Sequence, residues 1–197
     1  MRIVFIGPPG AGKGTQCDRL IRFLQIPHLS TGEMLRETLQ QGSALGRQIA
    51  GYIDGGNLAP DYLVMRMVKQ RLRDRDCRKG CLFDGFPRTI PQAQLLDEHL
   101  QELDDAIDLV LYLQCPQEEL VKRLLKRATI ECRADDNADA ISARLNIFRT
   151  TTSPLLDYYE RHGILRTIDG TLSPVEVTAQ IRGHITHSSV DPKRQSQ

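Results

Sequence analysis

The chain has 197 residues, with 26 Lys and Arg side chains against 25 Asp and Glu and a formal net charge of +1. This length, together with 40% hydrophobic residues, suits one globular domain with small insertions and excludes a disordered or fibrous protein. The balanced charge provides no overall field for holding a polyanion, so nucleic acid is not expected as a partner.

The apolar runs of the sequence are short. Residues 3–6 and 109–113 are among the longest of them, whereas a membrane-spanning helix needs about 18 apolar residues. The first predicted strand begins directly after Met1 and leaves no room for an export signal. We therefore expect a cytoplasmic protein that has no membrane partner.

The chain has five cysteines at irregular spacings: Cys17, Cys77, Cys81, Cys115 and Cys132. An odd number completes no disulfide framework, and no second Cys or His pair stands at the spacing of a zinc site. We expect these thiols to be reduced, as in a cytosolic protein, and we expect no zinc.

Strand-like and helix-like patterns alternate along the chain. The first strand is predicted at residues 2–7, and apolar residues then recur at helical spacing as far as Leu24. Further strands are predicted at 28–30, 81–83, 109–113 and 164–168, and helices at 61–72, 92–100, 117–127, 138–161 and 174–185. This alternation predicts an α/β fold around a parallel sheet of about five strands.

Three segments depart from the alternation. Residues 31–59 contain helical patterns at 33–39 and 45–52 but no strand, which predicts a small helical insertion. Residues 128–137 are polar and lie between two helices, so they are expected to form a mobile flap. The tail from His184 has no helical pattern and is expected to be disordered.

A glycine-rich segment, GPPGAGKGT, occupies residues 7–15 between the first strand and the next helix. Its glycines permit backbone amides to turn inward around phosphate oxygens, the helix N-terminus adds a positive dipole end, and Lys13 adds a mobile cation. This predicts a nucleotide phosphate site. Thr15 stands one place later than the hydroxyl of the usual pattern, which disfavours direct magnesium ligation by that hydroxyl.

Four motifs, in order, resemble those of the adenylate kinases: GPPGAGKGTQ, STGEMLR at 30–36, DGFPRTIPQA at 84–93, and CRADD followed by Arg144. The resemblance extends from Met1 to about Ile181. It implies a doubly wound P-loop core with a helical monophosphate-binding insertion and a short lid. The single domain would cover residues 1–183, with its core at 1–29, 60–127 and 138–183, the insertion at 30–59 and the lid at 128–137.

The resemblance also implies an activity, the reversible Mg²⁺-dependent transfer of a phosphoryl group from ATP to AMP to give two ADP. Direct in-line transfer by a cytoplasmic monomer is expected. Thr31 and Thr89 favour adenine, because related pyrimidine-specific kinases have Ala and Asn at these places. A UMP/CMP kinase of the same fold and a non-catalytic P-loop nucleotide sensor remain the alternatives.

Roles for individual residues follow from the same resemblance. The ATP-binding set is Gly10, Ala11, Gly12, Lys13, Gly14, Thr15, Arg123, Arg127 and Leu172. The AMP-binding set is Thr31, Arg36, Asn57, Leu58, Ala59, Gly85, Phe86, Pro87, Arg88, Gln92, Arg133 and Arg144. The catalytic set is Lys13, Arg88, Arg123, Arg133 and Arg144, and Asp84 would hold Mg²⁺ through water.

Several of these residues also have a purely structural interpretation. Asp84 follows a predicted strand and should face the glycine loop, but it can equally be a turn residue. Thr31 and Arg36 can cap a helix or be solvated. Gln92 can read an adenine edge or lie on the surface. Each arginine taken alone can be a solvated side chain.

Overall fold

The computed structural model describes residues 1–42, 46–47, 52, 58–131 and 138–188. Within them, parallel strands form one five-stranded sheet in the order β2-β3-β1-β4-β5. The strands are β1 (Arg2–Ile6), β2 (His28–Ser30), β3 (Cys81–Asp84), β4 (Leu109–Gln114) and β5 (Leu165–Asp169). The predicted α/β fold with a five-stranded parallel sheet is confirmed.

Helices follow the strands in the alternation that the sequence predicts. They are α1 (Lys13–Leu24), α2 (Thr31–Gln40), α3 (Asp61–Leu72), α4 (Ile90–Gln101), α5 (Gln117–Glu131), α6 (Ala138–Ile147), α7 (Pro154–Arg161) and α8 (Pro174–Ser188). A short 3₁₀ helix at Arg75–Lys79 precedes β3. None of the helices in the described residues is long and apolar enough to cross a membrane.

The hydrophobic core lies on both faces of the sheet. Val4 and Ile6 of β1 pack with Phe83 in one cluster, together with residues of α3, α4 and α7. Ile3 and Phe5 belong to a second cluster with residues of α1 and α8. Because successive side chains of a strand point to opposite faces, every residue of β1 is buried. A parallel strand covered on both faces reads as a continuous apolar run.

The register of the sheet brings the functional motifs to one edge. Asp84, the last residue of β3, is paired with Phe5 of β1 and with Ser30 of β2. The glycine loop leaves β1 at this edge, and α2 begins at Thr31 directly after β2. Ligands of open α/β sheets bind at the carboxyl ends of the strands, so this edge is the place for a site.

The predicted helix at 138–161 is not continuous. Residues Phe148–Thr152 form a π-helical turn, in which the Ser153 amide donates to the Phe148 carbonyl at 2.8 Å. Pro154 has no N–H with which to continue the preceding helix, and it opens α7 instead. The break carries Phe148 and Thr152 to the wall of the cleft described below.

Two helices end later than predicted, at 131 instead of 127 and at 188 instead of 185, and some predictions lie outside the described residues. Helix α5 runs to Glu131, so residues 128–131 of the predicted lid are helical. Helix α8 runs to Ser188, so residues 184–188 are helical and not a disordered tail. Residues 132–137 of the lid, residues 189–197, and most of the helix predicted at 45–52 lie outside the described residues.

We expect Tyr159→Phe to raise the free energy of unfolding by about 1 kcal/mol. Tyr159 of α7 is 1% exposed, and its hydroxyl has no hydrogen-bond partner in the part of the chain that the structure describes. The neighbouring Tyr158 is the control, because its hydroxyl donates to Asp97 Oδ2 at 2.8 Å. Tyr158→Phe should lower the same free energy by about 1 kcal/mol in urea unfolding. Equal losses for both variants would contradict this account of Tyr159.

Candidate active site

The glycine loop has the conformation that a phosphate cradle requires. Gly10 and Gly12 have φ of +84° and +98°, in the left-handed region that favours glycine. A Cβ at Gly10 would lie 2.9 Å from Leu124 Cγ and 3.0 Å from the Leu120 carbonyl oxygen, so α5 packs directly against the loop. Gly12 caps the N-terminus of α1 without a side chain, which leaves the first amides of α1 available to an anion.

Lys13 is folded back over the loop from which it starts. Its ammonium donates to the carbonyl oxygens of Gly7 at 2.6 Å and Pro8 at 3.1 Å. Burial lowers the pKa of Lys13 to about 8, and the charges of Arg88 and Arg144 add to the shift, while Asp84 opposes it. A bound phosphate would offset the repulsion from the two arginines. Its oxygens would replace the carbonyl oxygens of Gly7 and Pro8 as hydrogen-bond acceptors for the Lys13 ammonium.

Asp84 lies beside His28 at the end of the two neighbouring strands. The carboxylate Oδ2 is 3.4 Å from His28 Nε2, and each side chain is 16% exposed. Burial alone would raise the pKa of Asp84, but the contact with His28 and the charge of Lys13 outweigh it and lower that pKa. Asp84 is therefore ionised and faces the lysine of the loop.

The loop between Asp84 and α4 is held by Gln92. The side-chain oxygen of Gln92 accepts from the Arg88 amide at 2.7 Å, and its nitrogen donates to Asp61 Oδ1 at 2.6 Å. Gln92 is 2% exposed, and Thr89 caps α4 by accepting from the Gln92 amide at 3.2 Å. The Gln92 side chain can form a hydrogen bond with a nucleotide base only if it gives up its bond to the Arg88 amide or to Asp61.

Gly85 permits a close approach between this loop and α2. Its φ is +75°, and a Cβ there would lie 3.0 Å from both Thr31 Oγ1 and Arg88 Nη2. The Thr31 hydroxyl donates to the Gly85 carbonyl at 2.9 Å, and the Arg88 Nε donates to the same oxygen at 2.8 Å. Ser30, rather than Thr31, caps α2 by accepting from the Glu33 amide, so the buried Thr31 hydroxyl serves the loop.

Three cations from separate segments meet in one cleft at the edge of the sheet. Lys13, Arg88 and Arg144 of α6 all line it, together with Gly85, Phe148 and Thr152. Although Arg88 is exposed in the open cleft, desolvation and the charges of Arg144 and Arg36 lower its pKa, while Asp84 opposes the shift. Such a concentration of positive charge suits the oxygens of transferring phosphates.

Arg123 of α5 lies on another side of the glycine loop. Its Nε donates to Glu119 Oε1 at 2.8 Å, and its Nη1 donates to the Gly170 carbonyl at 2.9 Å. Arg123 is thereby tied to the loop after β5 that carries Leu172, which packs against the core. The predicted partners Arg123 and Leu172 therefore border one region, and Arg127 lies one helical turn further along α5.

The remaining predicted residues divide into two groups. Those within the described part of the chain are the exposed Gly14 and Thr15, the buried Ala11, Ala59, Phe86 and Pro87, the partly exposed Leu58, and the exposed Arg36, which lies over Gly32. Asn57 and Arg133 lie outside the described residues.

Two residues of the site escape sequence reasoning. His28 contacts Asp84 only because β2 pairs with β3 in one particular register. Asp61 accepts from both Thr89 and Gln92 only because α3 packs against α4. The sequence offers one hint for these two residues, which is that each begins a predicted element. His28 is the first residue of a predicted strand, and Asp61 is the first residue of a predicted helix.

The chain matches the family model described as "Adenylate kinase" over residues 5–164. It is 48% identical over 180 residues to an adenylate kinase of Leptospira biflexa, covering 91% of this chain and 97% of that protein. Similar relatives are adenylate kinases of a Cyanothece species, 44% identical over 92% of this chain and 93% of that protein, and of Thermus thermophilus, 43% identical over 91% and 94%.

We expect Gly10→Ala to weaken ATP binding at least tenfold, because its Cβ would push the loop away from α5. The positive φ should also cost about 1 kcal/mol of folding free energy. Gly42→Ala is the control, since Gly42 has φ of +61° with nothing within 4 Å of an added Cβ. It should lose similar stability but keep its ATP affinity, measured by titration calorimetry. Equal affinities for both variants would contradict the proposed packing constraint.

Proposed function

The chain belongs to the adenylate kinase family, and we propose that it transfers the γ-phosphoryl group of ATP directly to AMP in the cleft of Lys13, Arg88 and Arg144. As a family member it is a nucleoside monophosphate kinase, a phosphotransferase. The observation that carries the assignment of roles is the convergence of these three cations beside the glycine loop.

The three cations suit the charge that develops during phosphoryl transfer. Negative charge spreads over the equatorial oxygens while the attacking and leaving oxygens remain in line, so the protein contributes mainly position and positive charge. Lys13, Arg88 and Arg144 come from different segments and repel one another before phosphate binds. A phosphoryl group between them would satisfy all three at once, which favours the transition state.

Asp84 fits a hydrated magnesium ion. It is ionised, partly exposed and near Lys13, and Mg²⁺ is usually bound through one or two carboxylates while it keeps several waters. Asp84 would hold the ion through water. When bound with ATP, the ion neutralises charge on the phosphates.

The acceptor is proposed to lie between α2 and the loop after β3. Arg36 and Arg88 would bind the phosphate of AMP, and Thr31 would face its base, with Gln92 exchanging its bond to Asp61 for the adenine edge. Asn57, Leu58 and Ala59 belong to the same proposed subsite, and Arg133 joins Arg144 at the phosphates. Gly85, Phe86 and Pro87 shape the wall, because Gly85 permits the close contact with Thr31.

The donor is proposed to lie along the glycine loop and α5. Residues 10–15 would hold the phosphates of ATP, as the open amides at the start of α1 suggest. Arg123 and Arg127 would flank the nucleotide, and Leu172 would contact its base. The hydrogen bond between Arg123 and Gly170 supports this grouping.

Water must be excluded, or ATP would be hydrolysed. We propose that the insertion at 30–59 and the lid at 128–137 close over both nucleotides, and that the core and these two segments form one domain. We further propose a cytoplasmic location, since Cys17, Cys77, Cys81 and Cys115 are all free thiols, as a reducing compartment keeps them. We also propose that the protein is a monomer, as the resemblance implies.

Initial rates with Mg²⁺–ATP and each of AMP, UMP and CMP test the proposed acceptor. We expect AMP to have the highest kcat/KM, with two ADP as products. A comparable or greater efficiency with UMP or CMP would overturn the adenine assignment and leave the kinase class intact.

Arg88→Ala should lower kcat/KM by a factor on the order of one hundred, because loss of one such group costs about 3 kcal/mol of transition-state stabilisation. Lys13→Ala should have a similar effect. Arg66→Ala, at an exposed arginine of α3, is the control and should change neither activity nor thermal stability. Near-normal turnover of Arg88→Ala would show that Arg88 does not touch the transferring group.

The activity should depend on pH through Lys13. Its pKa of about 8 means that the unliganded enzyme loses this ammonium as the pH rises, so kcat/KM for ATP should fall above about pH 8. Lys13→Met should be slow at every pH and lack this fall. The same fall in Lys13→Met would assign it to another group.

The contribution of Lys13 to the free energy of unfolding should increase with pH, whereas kcat/KM should decrease. The folded pKa of about 8 lies below the ordinary lysine value of 10.5, so the unfolded chain binds more protons between these values. The contribution of Lys13 to the free energy of unfolding therefore increases as the pH rises through this window. The difference between wild-type and Lys13→Met unfolding curves isolates it.

A further inference from the structure

Three side chains with different ligand atoms meet next to the lysine of the glycine loop. They come from α1, β2 and β3, and they are Cys17, His28 and Asp84. Their sulfur, ring nitrogen and carboxylate oxygen all lie within 4.8 Å of one another. Cys17 is fully buried, while the side chains of His28 and Asp84 are each 16% exposed. The cluster is therefore enclosed on one side and reachable on the other.

The Nε2 atom of His28 contacts Asp84 as an ion pair and not as a short hydrogen bond. Nε2 is shielded from solvent and forms no hydrogen bond within the described residues. Its distance of 3.4 Å from Asp84 Oδ2 is long for a hydrogen bond. A tetrahedral zinc ion about 2.0–2.2 Å from a nitrogen and an oxygen holds these two atoms roughly 3.4 Å apart. The observed separation fits an ion pair, and it also lets both atoms bind one ion without a large movement.

The donor set selects the class of ion. A thiolate, an imidazole and one carboxylate suit Zn²⁺ or Co²⁺, whereas Mg²⁺ prefers oxygen ligands and water. A zinc–sulfur bond is about 2.3 Å long, so the Cys17 sulfur would lie less than about 4 Å from the other two ligand atoms. Because these distances are at most 4.8 Å here, the Cys17 side chain would have to move by no more than about 1 Å. With three protein ligands, a fourth position stays open to water or phosphate.

We propose that Cys17, His28 and Asp84 form a site for a borderline-soft divalent cation, with Zn²⁺ as its best occupant, and that occupancy inhibits phosphoryl transfer. On binding, the Cys17 thiol loses its proton to solvent and its sulfur bonds to the ion. The nearby Lys13 ammonium weakens the attraction, so binding is reversible. The inhibition, unlike the binding, rests on the proposed function, because it requires Asp84 to be needed for Mg²⁺.

Such an ion is not a structural zinc. Cys17 packs in the apolar cluster of α1 and α8, so we expect the protein to fold, and to keep the proposed activity, when zinc is removed and Mg²⁺ is supplied. The ion acts only by taking Asp84 away from its proposed role.

Cobalt and zinc titrations of the full-length protein test the binding. We expect one equivalent per chain, with the near-ultraviolet absorption of a cobalt–thiolate bond. Cys17→Ala should lose that absorption and bind Zn²⁺ at least tenfold more weakly in competition with a chelator. Cys115→Ala, which removes the thiol that the structure shows as partly exposed, is the matched control and should behave as wild type. His28→Gln should also weaken binding at least tenfold.

Unchanged binding in Cys17→Ala, or the absence of a stoichiometric complex in the wild type, would overturn the site.

Assays with excess Mg²⁺ test the inhibition: Zn²⁺ should inhibit the wild type and Cys115→Ala but not Cys17→Ala, and chelation should restore the rate. Equal inhibition of Cys17→Ala would overturn the inhibitory role. A wild type inactive with ATP and AMP even without zinc would instead refute the proposed function, while the titrations would still decide the site.

Discussion

The candidate site is organised around three cations that the fold holds in one cleft despite their mutual repulsion. Desolvation and the charges of Arg88 and Arg144 lower the pKa of Lys13, desolvation and the charge of Arg144 lower the pKa of Arg88, and Asp84 opposes both shifts. Phosphate oxygens entering the cleft would offset this repulsion, which is the role that the proposed function gives to the three cations. The parallel sheet makes this possible, because its register brings segments that are distant in sequence to one edge.

Small residues and one buried amide hold the cations in place. Gly10 lets the glycine loop pack against α5, and Gly85 lets the loop after β3 approach α2. Gln92 fixes the backbone of Arg88 and joins it to Asp61 at the start of α3. Thr31 of α2 and Asp61 of α3 are thereby connected to the loop that carries Arg88. Gln92, which is proposed to bind the adenine edge, thus stabilises the loop of Arg88 when no nucleotide is bound.

Much of this arrangement can be predicted from sequence, because buried parallel strands read as continuous apolar runs and the glycine loop lies directly between a strand and a helix. The fold class and the place of Lys13 and Asp84 follow from those patterns. The break before Pro154 and the helical residues 184–188 do not follow from those patterns, because helical periodicity alone marks the ends of helices poorly. The contact of His28 with Asp84 depends on strand register, and the bonds of Gln92 depend on helix packing. Neither is encoded in local sequence.

The central claim is that the cations act on a phosphoryl group passing directly from ATP to AMP. The most direct test is the stereochemical course with ATP made chiral at its γ-phosphorus by sulfur and oxygen isotopes. A single in-line displacement predicts inversion of configuration in the product. Retention would reveal two displacements through a phosphorylated side chain, and would contradict the account in which Lys13, Arg88 and Arg144 only position and stabilise the group.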